Sequence, residues 1–160
     1  MDYLWSPWRY RYVSRAGPGD ECFFCRKAAE QADRENYIIL RGRENFVLLN
    51  LYPYTSGHLM IAPYRHVATL EDAAPSALAE MMALTQAAEK HLRSLYRPGG
   101  LNIGMNVGEC AGAGVAGHIH MHVLPRWGGD ANFMTTVGET RVLPEDLDTT
   151  YQRLTAVWKD

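Results

Sequence analysis

The chain of 160 residues is short of several things that would each point somewhere. It has three cysteines, two of them paired as Cys22-x-x-Cys25, which is too few for a disulfide framework. It has no uninterrupted apolar stretch long enough to cross a bilayer, and its N-terminus lacks the apolar core of a signal peptide. No membrane partner is expected, and a cytoplasmic location is. Positive charge is not in excess: 16 Lys and Arg stand against 18 Asp and Glu, for a net charge of −2. With no long basic tract, nothing favours nucleic acid as a partner. Repeats and low-complexity segments are absent as well. What is present, 47% apolar residues, suffices for the core of one domain spanning 1–160.

Residues 5–12, Trp-Ser-Pro-Trp-Arg-Tyr-Arg-Tyr, form an aromatic and basic arm within the N-terminal segment 1–20. A turn-rich knuckle around Cys22 and Cys25 leads into a short polar helix ending near Asp33. Residues 37–40 and 46–49 are β-rich runs, and the polar segment between them reads as a hairpin turn. A loop over 51–57 precedes a short strand over 59–62. Pro75 suits the first turn of a long helix, with Asp72 or its neighbours as cap, and Pro98-Gly99-Gly100 ends it. Leu78, Met81, Met82, Thr85, Ala88, Leu92 and Leu95 recur at helical spacing, a stripe for a core or a subunit interface. Strands over 101–107 and 119–124 flank a glycine-rich loop, and a closing helix over 144–158 lies in the tail 125–160. Strands in a run with few helices favour α+β, an antiparallel sheet with a long central helix and a C-terminal helix.

Chemistry concentrates at Gly117-His118-Ile119-His120-Met121-His122-Val123, which holds three of the six histidines at alternate positions. On a strand, alternate side chains share a face, so the imidazoles form a row with neighbours ~7 Å apart. Ile119, Met121 and Val123 then point into a core. A row of imidazoles serves metal binding, nucleophilic attack or proton transfer. The bland alternative, a half-exposed strand that happens to carry histidines, gains little from burying them.

The string from His118 to Leu124 resembles the signature of the histidine-triad superfamily. Asn50-Leu51-Tyr52-Pro53 with Gly57-His58-Leu59-Met60-Ile61-Ala62-Pro63 is similar to that family's ribose-binding segment, and Asn106-Val107-Gly108 to its phosphate-contact segment. The resemblance implies a homodimer, or a dimer of dimers, with a purine nucleotide or dinucleoside polyphosphate as ligand. It makes His120 the nucleophile that forms a nucleotidyl-histidine, and His122 the donor to phosphate and leaving-group oxygens. It places ribose on Asn50, and phosphate on Asn106 and on backbone amides of residues 108–117, Gly108, Gly114 and Val115 among them. Some relatives hold a structural zinc, for which this chain offers Cys22, Cys25, His66 and His118, a closed tetrahedral set. No organic cofactor is expected. Cys110 reads as a free thiol.

Within the superfamily, Gly114-Val115-Ala116-Gly117 stands where hydrolase branches carry a Gly-Gln-Ser or Gly-Gln-Thr step. Leu4-Trp5-x-Pro7, residues 49–54 and the tail from Pro125 to Phe133 instead resemble bacterial diadenosine tetraphosphate phosphorylases. That branch resolves the intermediate with inorganic phosphate, whose charge Arg126, Arg9 or Arg11 could balance. Trp127 and Phe133 would stack a base or cover a partner's pocket. The alternatives are a hydrolase acting on AMP-lysine, phosphoramidate or dinucleoside polyphosphate substrates, and a purine-nucleotide-binding module with little turnover. A zinc-stapled structural dimer is the remaining one.

Overall fold

A computed structural model describes residues 21–136 and 143–158. The aromatic arm, with Arg9, Arg11 and the Leu4-Trp5-x-Pro7 motif, lies outside the described residues, as does part of the tail. Helix α1 (Phe23–Ala29) precedes strands β1 (Ile38–Arg41), β2 (Asn45–Leu49) and β3 (Leu59–Pro63). Then come α2 (Pro75–Tyr96), β4 (Gly100–Gly104), a 3-10 turn at Glu109–Ala111, β5 (Met121–Arg126), the short α3 (Phe133–Thr136) and α4 (Leu147–Val157). The five strands form one antiparallel sheet in the order β1-β2-β3-β5-β4. The architecture is α+β, and no described helix is long and apolar enough to cross a membrane.

β2 and β3 are buried at every position because both faces of the sheet are covered. Alternation sorts their side chains. Val47, Leu49, Leu59, Ile61 and Val123 meet Met81, Ala88 and Leu92 of α2 and Leu154 of α4. Phe46, Leu48, Met60 and Ala62 point the other way and pack on Phe24 of α1. At ~1.5–3 kcal/mol for each large apolar side chain taken from water, both faces contribute to holding the sheet. The α1 face is the one that carries the chemistry, since His122 pairs with Met60 across β5 and β3.

Helix α2 starts at Pro75 as its spacing predicts, but its cap differs. Ala74 occupies the cap position without a side-chain hydrogen bond, and the Asp72 carboxylate accepts instead from the Thr69 hydroxyl at 2.6 Å. Proline at the first helical position removes an amide that would lack a partner anyway, so the cap is dispensable. Met81 is buried, whereas Met82 is 53% exposed and leaves the stripe. The closing helix begins at Leu147, later than 144, where Asp146 caps the amide of Thr149 at 2.7 Å.

Two strand limits also move. β4 stops at Gly104, so Asn106 lies in a loop where its amide donates to the Gly112 carbonyl at 3.3 Å. β5 starts at Met121, so His118 and His120 precede the strand and only His122 belongs to it. Gly57 has φ of +79°, and a Cβ there would stand 3.1 Å from Leu92 and Tyr96 atoms. Both reasons demand glycine just ahead of β3.

Candidate active site

Helix α1 delivers two thiols to the first histidine of the row. Cys22 Sγ lies 3.3 Å from His118 Nδ1, Cys25 Sγ lies 3.4 Å from His66 Nδ1, and the four ligand atoms fall within 4.8 Å of one another. The far side of the His118 ring, Nε2–H, donates to the Pro63 carbonyl at 2.8 Å, which presents Nδ1 to the thiols as a lone pair. A ligand imidazole whose other nitrogen is held by a backbone carbonyl is the usual support for a bound metal. Burial and the adjacent Cys22 push the Cys25 thiol up to about 11. A cation among these donors would relieve that cost, because the thiolate is the metal ligand. These four residues could hold a metal ion, and their soft thiolates with imidazoles suit zinc.

The same helix is anchored at its other end. Buried Lys27 donates to the Asn36 side chain at 2.9 Å and to its carbonyl at 3.1 Å. Arg41 from β1 donates to the carbonyls of Ala28 and Glu30 and pairs with Asp33. Between the two anchors stands Phe24, its ring 5.2 Å from that of His118 and 4.8 Å from that of His120.

His120 and His122 are held by different partners. His120 Nδ1–H donates to the His118 carbonyl at 2.9 Å, which leaves Nε2 unprotonated. Burial pushes this imidazole below its ordinary pKa, although the carbonyl bond works the other way, and the neutral ring keeps its lone pair. The rings of His120 and His122 sit 4.8 Å apart and nearly perpendicular, closer than an ideal strand would place them.

For His122 the tautomer follows from a chain of three groups. The Tyr54 backbone N–H lies 3.1 Å from His58 Nδ1, and an amide can only donate, so His58 Nδ1 is an acceptor. The His58 proton is therefore on Nε2, 2.9 Å from His122 Nδ1. His122 accepts there and, when neutral, carries its own proton on Nε2. His120 thus offers a lone pair and its neighbour a donor, a complementary pair for attack and charge stabilisation.

Both histidines line a cavity of 310 Å³ on the α1 face of the sheet. Asn50, Asn106, Gly114 and Val115 line it as well, so the structure brings these sequence-derived candidates together. Gly108 does not line it; with φ of +84° it precedes the 3-10 turn at Glu109–Ala111. Arg126 does not line it either, because its guanidinium is taken by Asp130 and Asn102. Arg26 of α1 is the cation on the described wall, and sequence reading passed it over. His58 is 1% exposed and belongs to the Gly57–Pro63 segment, whose pattern does not mark it as a site residue. Its only sequence signal is a lone histidine ahead of an apolar run. Cys110 is exposed on the 3-10 turn, and Phe133 is 69% exposed.

The HIT domain family matches residues 31–129. Over 165 aligned positions, 99% of this chain and 85% of the other, the chain is 41% identical to a Mycobacterium tuberculosis (strain H37Rv) protein named AP-4-A phosphorylase. It is 29% identical over 89 residues to the asymmetrical bis(5'-nucleosyl)-tetraphosphatase of Schizosaccharomyces pombe, covering 56% of this chain and 48% of that one. A solved structure of a zinc-bound histidine triad family protein from Mycobacterium smegmatis superposes with a TM-score of 0.71 at 30% identity. That likeness covers 87% of this chain and 94% of the other.

Proposed function

The chain belongs to the HIT domain family, and from that membership we propose that it cleaves a dinucleoside polyphosphate such as diadenosine tetraphosphate through a nucleotidyl-histidine, with inorganic phosphate as acceptor. The observation that carries the first step is the set of hydrogen-bond partners that favours opposed tautomers of His120 and His122 in one cavity. His120 Nε2 attacks the α-phosphorus; the P–N bond forms as the bridging P–O bond breaks. The leaving nucleotide departs as an oxyanion and needs no proton, only the hydrogen bond from His122 Nε2–H. The imidazolium formed at His120 is stabilised by its Nδ1–H bond to the His118 carbonyl. A phosphate oxygen then attacks the same phosphorus from the opposite side, the P–N bond breaks, and ADP leaves.

Asn50 is assigned to the ribose, and Asn106 with the amides around Gly114 and Val115 to the phosphates. Arg26 offsets part of the charge when two phosphates meet at His120. Phosphate as acceptor is supported by the 41% identity to the AP-4-A phosphorylase over nearly the whole chain. Cys22, Cys25, His66 and His118 would hold a zinc ion whose contribution is structural, since four protein ligands leave no open position.

The test is to incubate the protein with diadenosine tetraphosphate with and without inorganic phosphate and identify the products. ADP plus ATP, formed only when phosphate is added, is the expected result. AMP plus ATP at a rate indifferent to phosphate would make it a hydrolase, and binding without products would make it a nucleotide-binding module.

We also propose a homodimer. β4 has a neighbour on one side only among the described strands, and Ile103 on it and Met82 on α2 are 44% and 53% exposed. Equilibrium sedimentation at micromolar concentration is expected to give a dimer or a dimer of dimers, and a monomer would contradict this.

A further inference from the structure

We propose that a second cavity, which shares Tyr54 with the first, receives the distal nucleoside of the substrate, the half that leaves with the polyphosphate. The proposal rests on the dinucleotide reading above and extends it to a site of its own. Size raises the question. The 310 Å³ cavity at His120 is at the small end for a ligand site, and a dinucleoside polyphosphate has two bases to place. A separate cavity of 530 Å³ lies between the end of α2, the turn after β5 and the start of the closing helix.

Tyr54 lines both spaces. Its ring stacks near His122, with centroids 6.4 Å apart and planes 23° apart. His122 is the group assigned to the leaving side of the bridge, and Tyr54 beside it is common to the walls of both cavities. The walls suit an uncharged aromatic group. Tyr96 and Trp127 stand edge to face with centroids 6.3 Å apart. The two carboxylates on the described wall are already engaged: Glu145 by the Tyr96 hydroxyl and Arg153, Asp130 by Arg126 and the Trp127 amide. Arg153, the one cation on the described wall, is bound to Glu145 and lies over the Tyr96 ring at 4.5 Å. Among the described residues of the wall, no cation without an acidic partner is left for a phosphate. Aromatic faces and ordinary hydrogen-bonding groups remain, which is what a base and its ribose need. Phosphates therefore stay with Arg26 and the first cavity, and the nucleoside takes the second.

Gly128 offers a clean way to block this space. It lines the cavity, and a Cβ built there meets no atom within 4 Å. Binding is measured in a His120→Asn background, so that substrate stays intact, using diadenosine tetraphosphate and adenosine 5′-tetraphosphate, which lacks only the second nucleoside. The dinucleotide is expected to bind about tenfold or more tightly than the mononucleotide, through the extra aromatic contact. Gly128→Phe should remove that advantage while adenosine tetraphosphate binds as before, and Gly128→Ala should change neither. A second filler, Thr135→Phe, should repeat the result. Equal affinity for the two ligands in the parent, or fillers that weaken both ligands alike or neither, would overturn the proposal. Turnover of the unmodified protein is read separately. A failure to cleave would count against the dinucleotide reaction, whereas loss of the binding difference counts against this site alone.

Discussion

His118 and His122 are the same side chain four residues apart, and their surroundings use opposite nitrogens. At His118 a backbone carbonyl takes the Nε2 proton and Nδ1 faces two thiols. At His122 a neighbouring imidazole fills Nδ1 and Nε2 is left to carry the proton. One end of the row could hold a cation, and the other is proposed to donate to an anion. His120 between them is buried, bound to the carbonyl of His118 itself, and left with a lone pair. Residue type set the inventory of the row, and the partner behind each ring set its chemistry.

The largest expected break in that comparison comes at its centre. His120→Asn should lower turnover of a dinucleoside polyphosphate by about three orders of magnitude or more, while AMP affinity stays within a few-fold. Steady-state kinetics beside AMP titration read the two quantities. An equal loss of turnover from His118→Asn in a protein that keeps its melting temperature would show that the ends are not different in kind. The next effect in size falls on the relay. His58→Gln should cost about 10–100-fold in kcat with little change in KM, because His58 acts through His122. In a His122→Asn background the same change should cost almost nothing further, and full additivity would disconnect the two rings. The smallest effect on the nucleotide site is expected from the metal end, where the loss falls on stability instead. Chelation, or Cys22→Ser, should lower the melting temperature by on the order of 10 °C and change AMP affinity only a few-fold. The reason is the second anchor of α1 at Lys27 and Arg41, which keeps Phe24 and Arg26 in place. Protein grown with ample zinc yet lacking it, with Cys22 and Cys25 joined instead, would remove the metal assignment.

The sheet and the long helix were legible because alternation and helical spacing are local properties. Val47 and Leu49 against Phe46 and Leu48, and Met81, Ala88 and Leu92 on α2, can be read from their own segments. The triad spacing was legible for the same reason, although the strand begins three residues after His118, and the rings line up through partners outside it. What local pattern could not supply was the long-range placement. His58 finds His122 64 residues away, and Arg26 reaches the cavity only because α1 docks on the sheet. The resemblance grouped Cys22, Cys25, His66 and His118, which periodicity could not, since they lie on three separate segments. Arg126 shows the converse: a cation next to the motif in sequence, turned to Asp130 in space.

Main-chain atoms hold these imidazoles at three points, the carbonyls of Pro63 and His118 and the amide of Tyr54, beside side-chain partners such as Asn50 at His58. A carbonyl oxygen belongs to every amino acid, so no codon change at Pro63 deletes the acceptor behind His118. At Tyr54 only proline lacks the hydrogen that His58 accepts. The protonation pattern of the site is thus largely hidden from point mutation at the residues that impose it. Random mutagenesis would find the histidines and miss these main-chain supports, except through Tyr54→Pro.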